Sequence, residues 1–350
     1  MKLASAIKAG QPGQFGWFGS TGLAVLLLVV GIPAALLGGS SFQLGLAELN
    51  EALFGDARSL AAQLILTVRL PRVLVAALVG AALAVAGALM QGMTRNPLAS
   101  PGLFGINAGA ACLLVLVQSG LLTGLTGLAG LSELPLLLVT GSGAALAGAL
   151  VLLLGGGWCR PIHPVRLVLA GVAVSALLTA LTRTLLIVDE QAQQVLDWLA
   201  GSVAETGWQQ WHQLWPGVLL GLLAALLLAQ PLNLLALGDE ASAGLGQSPQ
   251  RLRLQVALVV ILLAASAVAV AGPVAFVGLL VPHLCRGLAG GDHRRLLPLA
   301  ALFGAALMVW ADLISRLLVF PSETPVGIVT ALIGAPGFLW LTCRGRGGLV

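Results

Sequence analysis

Long apolar runs separated by short polar breaks fill this chain from end to end. Cut at prolines, glycines and charge clusters, it leaves about ten segments, near residues 20–39, 70–92, 103–121, 134–155, 167–188, 214–230, 254–272, 274–289, 296–314 and 326–342. Each approaches the roughly 20 apolar residues that a helix needs to cross the hydrocarbon core of a bilayer. The longest polar stretches, 40–68, 187–213 and 231–253, are too short to fold alone, since an independent domain takes about 50 residues or more. The pattern predicts an all-α polytopic membrane protein of about ten transmembrane helices. It is expected to form a single domain over residues 1–350, with a polar tail at 1–19.

Composition strengthens that expectation. Hydrophobic residues make up 58 % of the chain and charged residues 9 %, with a mean hydropathy of +1.01, whereas about a quarter of a soluble domain is charged. Orientation follows from Lys and Arg, which stay on the cytoplasmic side. An inside N-terminus and an even number of spans put Lys2, Lys8, Arg95, Arg160, Arg166, Arg251, Arg253, Arg286, Arg294, Arg295, Arg344 and Arg346 inside, twelve of the 17 basic residues. Arg58, Arg69, Arg72, Arg183 and Arg316 fall outside or at span mouths. Of 13 acids, only Asp239, Glu240 and Asp292 fall inside. Both termini are therefore expected in the cytoplasm. The net charge of +4 reflects topology, and no soluble basic face exists for a nucleic acid. The run Leu23 to Leu37 is long and lacks a clear small-residue cleavage site, which predicts a first span rather than a removed signal peptide. Trp198, Trp208, Trp211 and Trp215 surround one outer loop, where anchoring at headgroup level is expected.

Catalytic chemistry is not legible in these residues. Lys2 and Lys8 are the only lysines and no G-x-x-x-x-G-K-[ST] loop occurs, so any ATP, with its magnesium, must be handled by another protein. The chain itself is expected to bind no cofactor and no metal. Cys112, Cys159, Cys285 and Cys343 are scattered, which argues against a disulfide or zinc framework. His163, His212, His283 and His293 lie in different segments, without metal-ligand spacing. Asp312 is the nearest candidate for a membrane-embedded acid, and Arg316, four residues on, gives it a local ion-pair partner.

Three polar constellations remain. Arg69 and Arg72 at the outer mouth of one span, and Arg316 at that of another, break the positive-inside bias. Either an acidic partner outside or snorkelling toward lipid phosphates accounts for them. Gly238-Asp239-Glu240-Ala241-Ser242-Ala243-Gly244-Leu245-Gly246 lies in the largest inside loop. Asp239 suits the cap of a short helix, Glu240 its first turn, and Gly244 or Gly246 its end, so the loop is either a docking helix or a solvated turn. Asn96-Pro97-Leu98, with Pro101 and Asn107, follows a Gly/Ala-rich span. Irregular backbone at membrane depth survives only where protein or a water-filled cavity satisfies it, so this break is either a gate or an ordinary connection.

Eight blocks between Arg69 and Leu341 resemble, in order, the FecCD family of ABC importer permeases for iron–siderophore complexes, haem and cobalamin. They include R-L-P-R, R-N-P-L-A-S-P-G-L-F-G-I-N-A-G-A, R-L-V-L-A-G-V-A, L-L-A-L-G-D-E-A-S-A-G-L-G and G-P-V-A-F-V-G-L-L-V-P-H-L-C-R. The resemblance implies the BtuC-like fold of type II importer permeases. It also implies one half of a two-permease, two-ATPase complex in the cell inner membrane, fed by a periplasmic binding protein. It assigns Arg69, Arg72 and Arg316 to docking of that binding protein. Gly238, Asp239, Glu240, Ala241, Leu245 and Gly246 become a coupling helix seated on the ATPase. Asn96, Pro97, Leu98, Asn107, Pro164 and Val165 fall in regions that narrow the pathway, although His163-Pro164-Val165 lacks the small hydroxyl residues of the cobalamin permease. The R-N-P-L block and Asp197-Trp198-Leu199-Ala200-Gly201-Ser202 look more like siderophore permeases than cobalamin or haem ones. Against this stand an ion-coupled secondary transporter, which needs embedded acids, and an intramembrane enzyme.

Overall fold

A computed structural model describes residues 16–39, 44–55, 59–126, 134–156, 162–188, 195–319 and 322–344. Most of the N-terminal tail, with Lys2 and Lys8, and Arg58, Cys159, Arg160 and Arg346 lie outside the described residues. The described chain is helical: α1 (Trp17–Leu37), α2 (Leu46–Phe54), α3 (Leu60–Leu64), α4 (Leu70–Thr94), α5 (Ile106–Gln118), α6 (Leu121–Thr126), α7 (Leu136–Leu154) and α8 (Pro164–Val188) come first. Then follow α9 (Leu196–Leu199), α10 (Trp208–Leu235), α11 (Asp239–Gly244), α12 (Pro249–Ala271), α13 (Val277–Ala289), α14 (His293–Leu318) and α15 (Val326–Arg344). Seven helices are long and apolar enough to span, with α3 and α4 joined as one 35-residue unit, and three shorter apolar helices join them.

The join between α3 and α4 is a π-helical turn, Ile65–Arg69. Pro71 explains it: proline has no N–H and its ring would collide with the carbonyl four residues back, and a wider turn relieves both problems. Helix α4 then runs through the centre of the bundle, with every residue from Val79 to Gln91 buried. It packs against α10, α12, α13 and α14. Lipid supplies no hydrophobic drive between such helices, so close packing of small residues carries the association. Gly80 meets Gly304 of α14 and Gly87 meets Gly278 of α13 so closely that a methyl group at either would overlap the facing carbonyl. Gly87→Ala is therefore expected to lower stability in detergent by about 1–3 kcal/mol. Gly287→Ala, with open space around it, should shift the thermal midpoint little.

Two of the expected spans contain short helices. Helices α5 and α13 have 13 residues each, about 20 Å at 1.5 Å per residue, short of the roughly 30 Å core. Before α5, Arg95 and Gly105 take left-handed backbone angles and Pro101–Phe104 forms a 3-10 turn. Before α13, Gly272 and Phe276 are left-handed and Pro273 lies between them. The two breaks meet inside the bundle, where a methyl on Gly278 would lie 2.9 Å from the Pro101 ring. By contrast α1 and α8 turn apolar side chains outward, among them Leu26, Val29, Leu169, Val172 and Leu177. Such faces need lipid or another subunit.

Candidate functional site

The bundle gathers polar groups at its two ends. At one end, Arg69 and Arg72, from the turn where α4 begins, converge with Arg316 near the end of α14. They are only 7 %, 7 % and 4 % exposed. Arg72 Nε and Nη2 each lie 2.8 Å from Asp312 Oδ1, and its Nη1 lies 2.8 Å from Glu323 Oε2. Arg316 Nη2 pairs with Asp312 Oδ2 at 3.1 Å, the local pair expected four residues apart. The remaining guanidinium N–H groups hold the end of α1. Arg69 donates to the carbonyls of Leu36 (2.8 Å) and Leu37 (2.9 Å), and Arg316 to those of Ala35 (2.9 Å) and Gly38 (2.9 Å). A helix leaves its last carbonyls without intrahelical donors, and these arginines supply them. The three residues do come together, but neither an open outer surface nor lipid phosphate receives their charge. Among the described residues of the cluster, Glu323, whose side chain is 37 % exposed, looks outward.

At the opposite end, α11 projects as a single short turn. Gly238, at φ 118°, occupies the cap position and Asp239 is the first helical residue, so Asp239 does not cap the helix as its sequence suggests. Its carboxylate instead accepts from Arg253 Nη2 at 2.8 Å, and from Arg95 in a short contact. Arg253, at the start of α12, also donates to the Ile162 carbonyl at 3.5 Å. Burial disfavours ionisation of Asp239, but the hydrogen bond and charge of Arg253, with the charge of Arg95, outweigh it and hold the carboxyl below its ordinary range. Glu240, Ala241 and Leu245 are exposed, and with Leu237 they form a small apolar-rich surface around α11. Gly246 is left-handed at φ 83° and closes the turn. Asp292 caps α14 through the Arg294 N–H (3.0 Å) and accepts from Asn233 (2.6 Å). Burial again opposes ionisation there, and these bonds with Arg294 and Arg295 nearby lower the pKa.

The expected gate residues separate into three places. Asn96, Pro97 and Leu98 are exposed immediately after Arg95, and Asn96 Oδ1 accepts from the Leu98 N–H at 2.9 Å to form a tight turn. Asn107 is not beside them: it lines a cavity of about 560 Å³ between α5 and α8. Pro164 opens α8 rather than a turn before it, and Val165 is 60 % exposed. Glu323, Arg95 and Arg253 emerge as partners only in the folded chain. Arg95 directly precedes N-P-L and Arg253 lies fourteen residues after Asp239, but no local pattern tells which cation meets which acid.

A bundle of membrane-length helices with a buried central helix, two half-length helices and polar locks at its ends is a multi-pass transport permease. The chain belongs to the FecCD transport family, whose model matches residues 26–344. It is 41 % identical over 331 residues to the Fe(3+)-citrate import system permease YfmD of Bacillus subtilis, covering 93 % of this chain and 94 % of that one. It is 44 % identical over 325 residues to the Fe(3+) dicitrate permease FecC of Escherichia coli, with 92 % and 96 % covered. The hemin permease HmuU of Yersinia pestis is 39 % identical, with 93 % and 95 % covered. Among solved structures, a metal-chelate type ABC transporter in an inward-facing conformation superposes with a TM-score of 0.76 at 32 % identity, covering 93 % of this chain and 98 % of that one. The chain is thus a permease subunit of an ABC transporter and not itself an enzyme.

Proposed function

We propose that this chain is one of two permease subunits of an inner-membrane importer for ferric chelates of the siderophore or citrate type. A binding protein delivers the chelate from outside, and two ATPase subunits, which carry ATP and magnesium, drive alternating access from the cytoplasm. The end that holds Arg95, Arg253, Arg286, Arg294 and Arg295 faces the cytoplasm, by the positive-inside bias, and both termini lie on that side. The observation that carries this reading is the setting of Asp239. The first residue of an exposed helix is tied to Arg95, which leads into Asn96-Pro97-Leu98, and through Arg253 to Ile162, which leads into Pro164 and Val165. Motion of α11 on an ATPase therefore reaches both segments that narrow the cytoplasmic end of the pathway. On the outer face, an acid of the binding protein can replace Glu323 on Arg72, so the arginines shape the docking surface more than they project from it. The partner permease is a copy of this chain or a related one. Both FecC and FecD of Escherichia coli, named as permeases of one dicitrate system, match it at 44 % and 43 % identity.

Uptake of radiolabelled iron on a panel of ferric chelates, in cells lacking this chain and in cells with it restored, tests the reading. Loss and rescue for one chelate are expected. Unchanged iron uptake with labelled haem or cobalamin affected instead would keep the permease and replace its cargo.

A further inference from the structure

Helix α8 carries two charged residues, Arg166 at its start and Arg183 near its other end. Arg183 is exposed, and the rest of its surroundings on the helix is apolar or hydroxylated. Among the described residues no acid and no carbonyl pairs with it. An ionisable side chain within a membrane helix is costly, by about 2.5–3.5 kcal/mol at the helix centre on insertion scales, and such residues face a partner or a water-filled cavity.

The cavity is present. Arg183 lines it together with Ser175 and Thr179, which lie eight and four residues earlier on the same helix face, and with Asn107 of α5. Leu186 and Leu199 close its apolar side. Its volume of about 560 Å³ falls within the roughly 300–1,000 Å³ of small-molecule sites. Snorkelling is the competing account, since Arg183 lies five residues from the end of α8. Side-chain direction opposes it: long side chains on a helix lean back toward the N-terminus, here toward Thr179 and the cavity and away from the outer headgroups.

We propose that Arg183 is the anion-recognising group of the translocation pathway, and that the cavity it lines takes a ferric chelate bearing carboxylates and net negative charge. Asn107, Ser175 and Thr179 supply neutral hydrogen bonds, and the single guanidinium supplies the charge and a bidentate fork that matches a carboxylate. One cation without further basic neighbours attracts an anionic cargo without holding it fast, as a pathway requires. The inference rests on the iron-chelate reading above.

The test is uptake of radiolabelled ferric citrate into proteoliposomes holding the full complex with its binding protein, with a neutral ferric hydroxamate as second probe. Arg183→Gln is expected to reduce ferric citrate uptake at least tenfold, and Arg183→Lys to retain at least a third. Ala108→Glu, which leaves Arg183 intact but adds a carboxylate to the same cavity, should lose uptake as Arg183→Gln does. Recovery of each permease with the ATPase at wild-type yield excludes misfolding. Wild-type uptake by Arg183→Gln would overturn the proposal and assign the guanidinium to headgroups. Transport of the neutral hydroxamate but not ferric citrate by the wild type would also overturn it while leaving the iron-permease reading intact. Transport of no iron chelate would defeat that reading and the proposal together.

Discussion

Asp312→Ala is expected to be the most destabilising single substitution in the protein. The carboxylate is fully buried and holds Arg72 at 2.8 Å and Arg316 at 3.1 Å. Those arginines are themselves buried, and Arg316 with Arg69 secures the end of α1. Removing one member of a buried pair leaves an uncompensated charge, which costs about 3–5 kcal/mol, a large part of a typical stability of roughly 5–15 kcal/mol. The measurement is thermal or denaturant unfolding in detergent, together with the amount of protein in the membrane. Asp312→Asn, which keeps a hydrogen-bond acceptor, should fall between wild type and Asp312→Ala. Replacing Asp312, Arg72 and Arg316 together by Leu, Met and Met should restore part of the loss, because well-packed apolar groups can substitute for a buried ionic cluster. A change below about 1 kcal/mol for Asp312→Ala, the range of exposed ion pairs, would mean the cluster does not hold these ends of α1, α4 and α14 together.

Asp239→Ala is expected to leave the fold nearly intact and to uncouple it. The side chain is 46 % exposed, so its pairs add little to stability. Its value is geometric, since it is the atom group through which α11 reaches Arg95 and Arg253. ATP hydrolysis by the assembled complex should continue while chelate uptake falls at least tenfold. Exchanging the charges, Asp239→Arg with Arg95→Asp, should recover part of the uptake. The carboxyl lies below its ordinary range in the folded protein. Its contribution is therefore fully present above the unfolded value of about 3.9 and is lost only as pH falls through the lower folded one. Coupling through this pair is accordingly expected to be flat between about pH 6 and 8. Equal loss of hydrolysis and uptake, or loss of neither, would contradict the role of Asp239.

The spans were legible because each is a run of apolar residues whose length the bilayer sets. Segments 134–155 and 254–272 match α7 and α12 to within a few residues. Segments 103–121 and 274–289 likewise match α5 and α13 to within three residues. Less legible was the backbone that leads into them, where Gly105 and Phe276 take positive φ close to Pro101 and Pro273. Arg69, Arg72 and Arg316 were found as a group by their violation of charge bias, yet their burial was invisible, since it depends on carbonyls of α1 more than thirty residues away in sequence. Reversing Arg69 and Arg72 to Glu would therefore break the packing of α1 along with any docking, and cannot separate the two. Segment 238–246 was legible as a short helix with an acidic start. That its first acid reaches sideways instead of capping follows from Gly238, whose φ of 118° places it at the cap.

The decisive measurement is accumulation of labelled ferric chelate in proteoliposomes, with the binding protein on one face and ATP on the face that carries α11. Accumulation is expected only when the ATPase and ATP are on the α11 side, and none when an ion gradient is supplied without ATP. Accumulation driven by the gradient alone, with ATP absent, would make this chain a secondary transporter and overturn the ABC-importer mechanism.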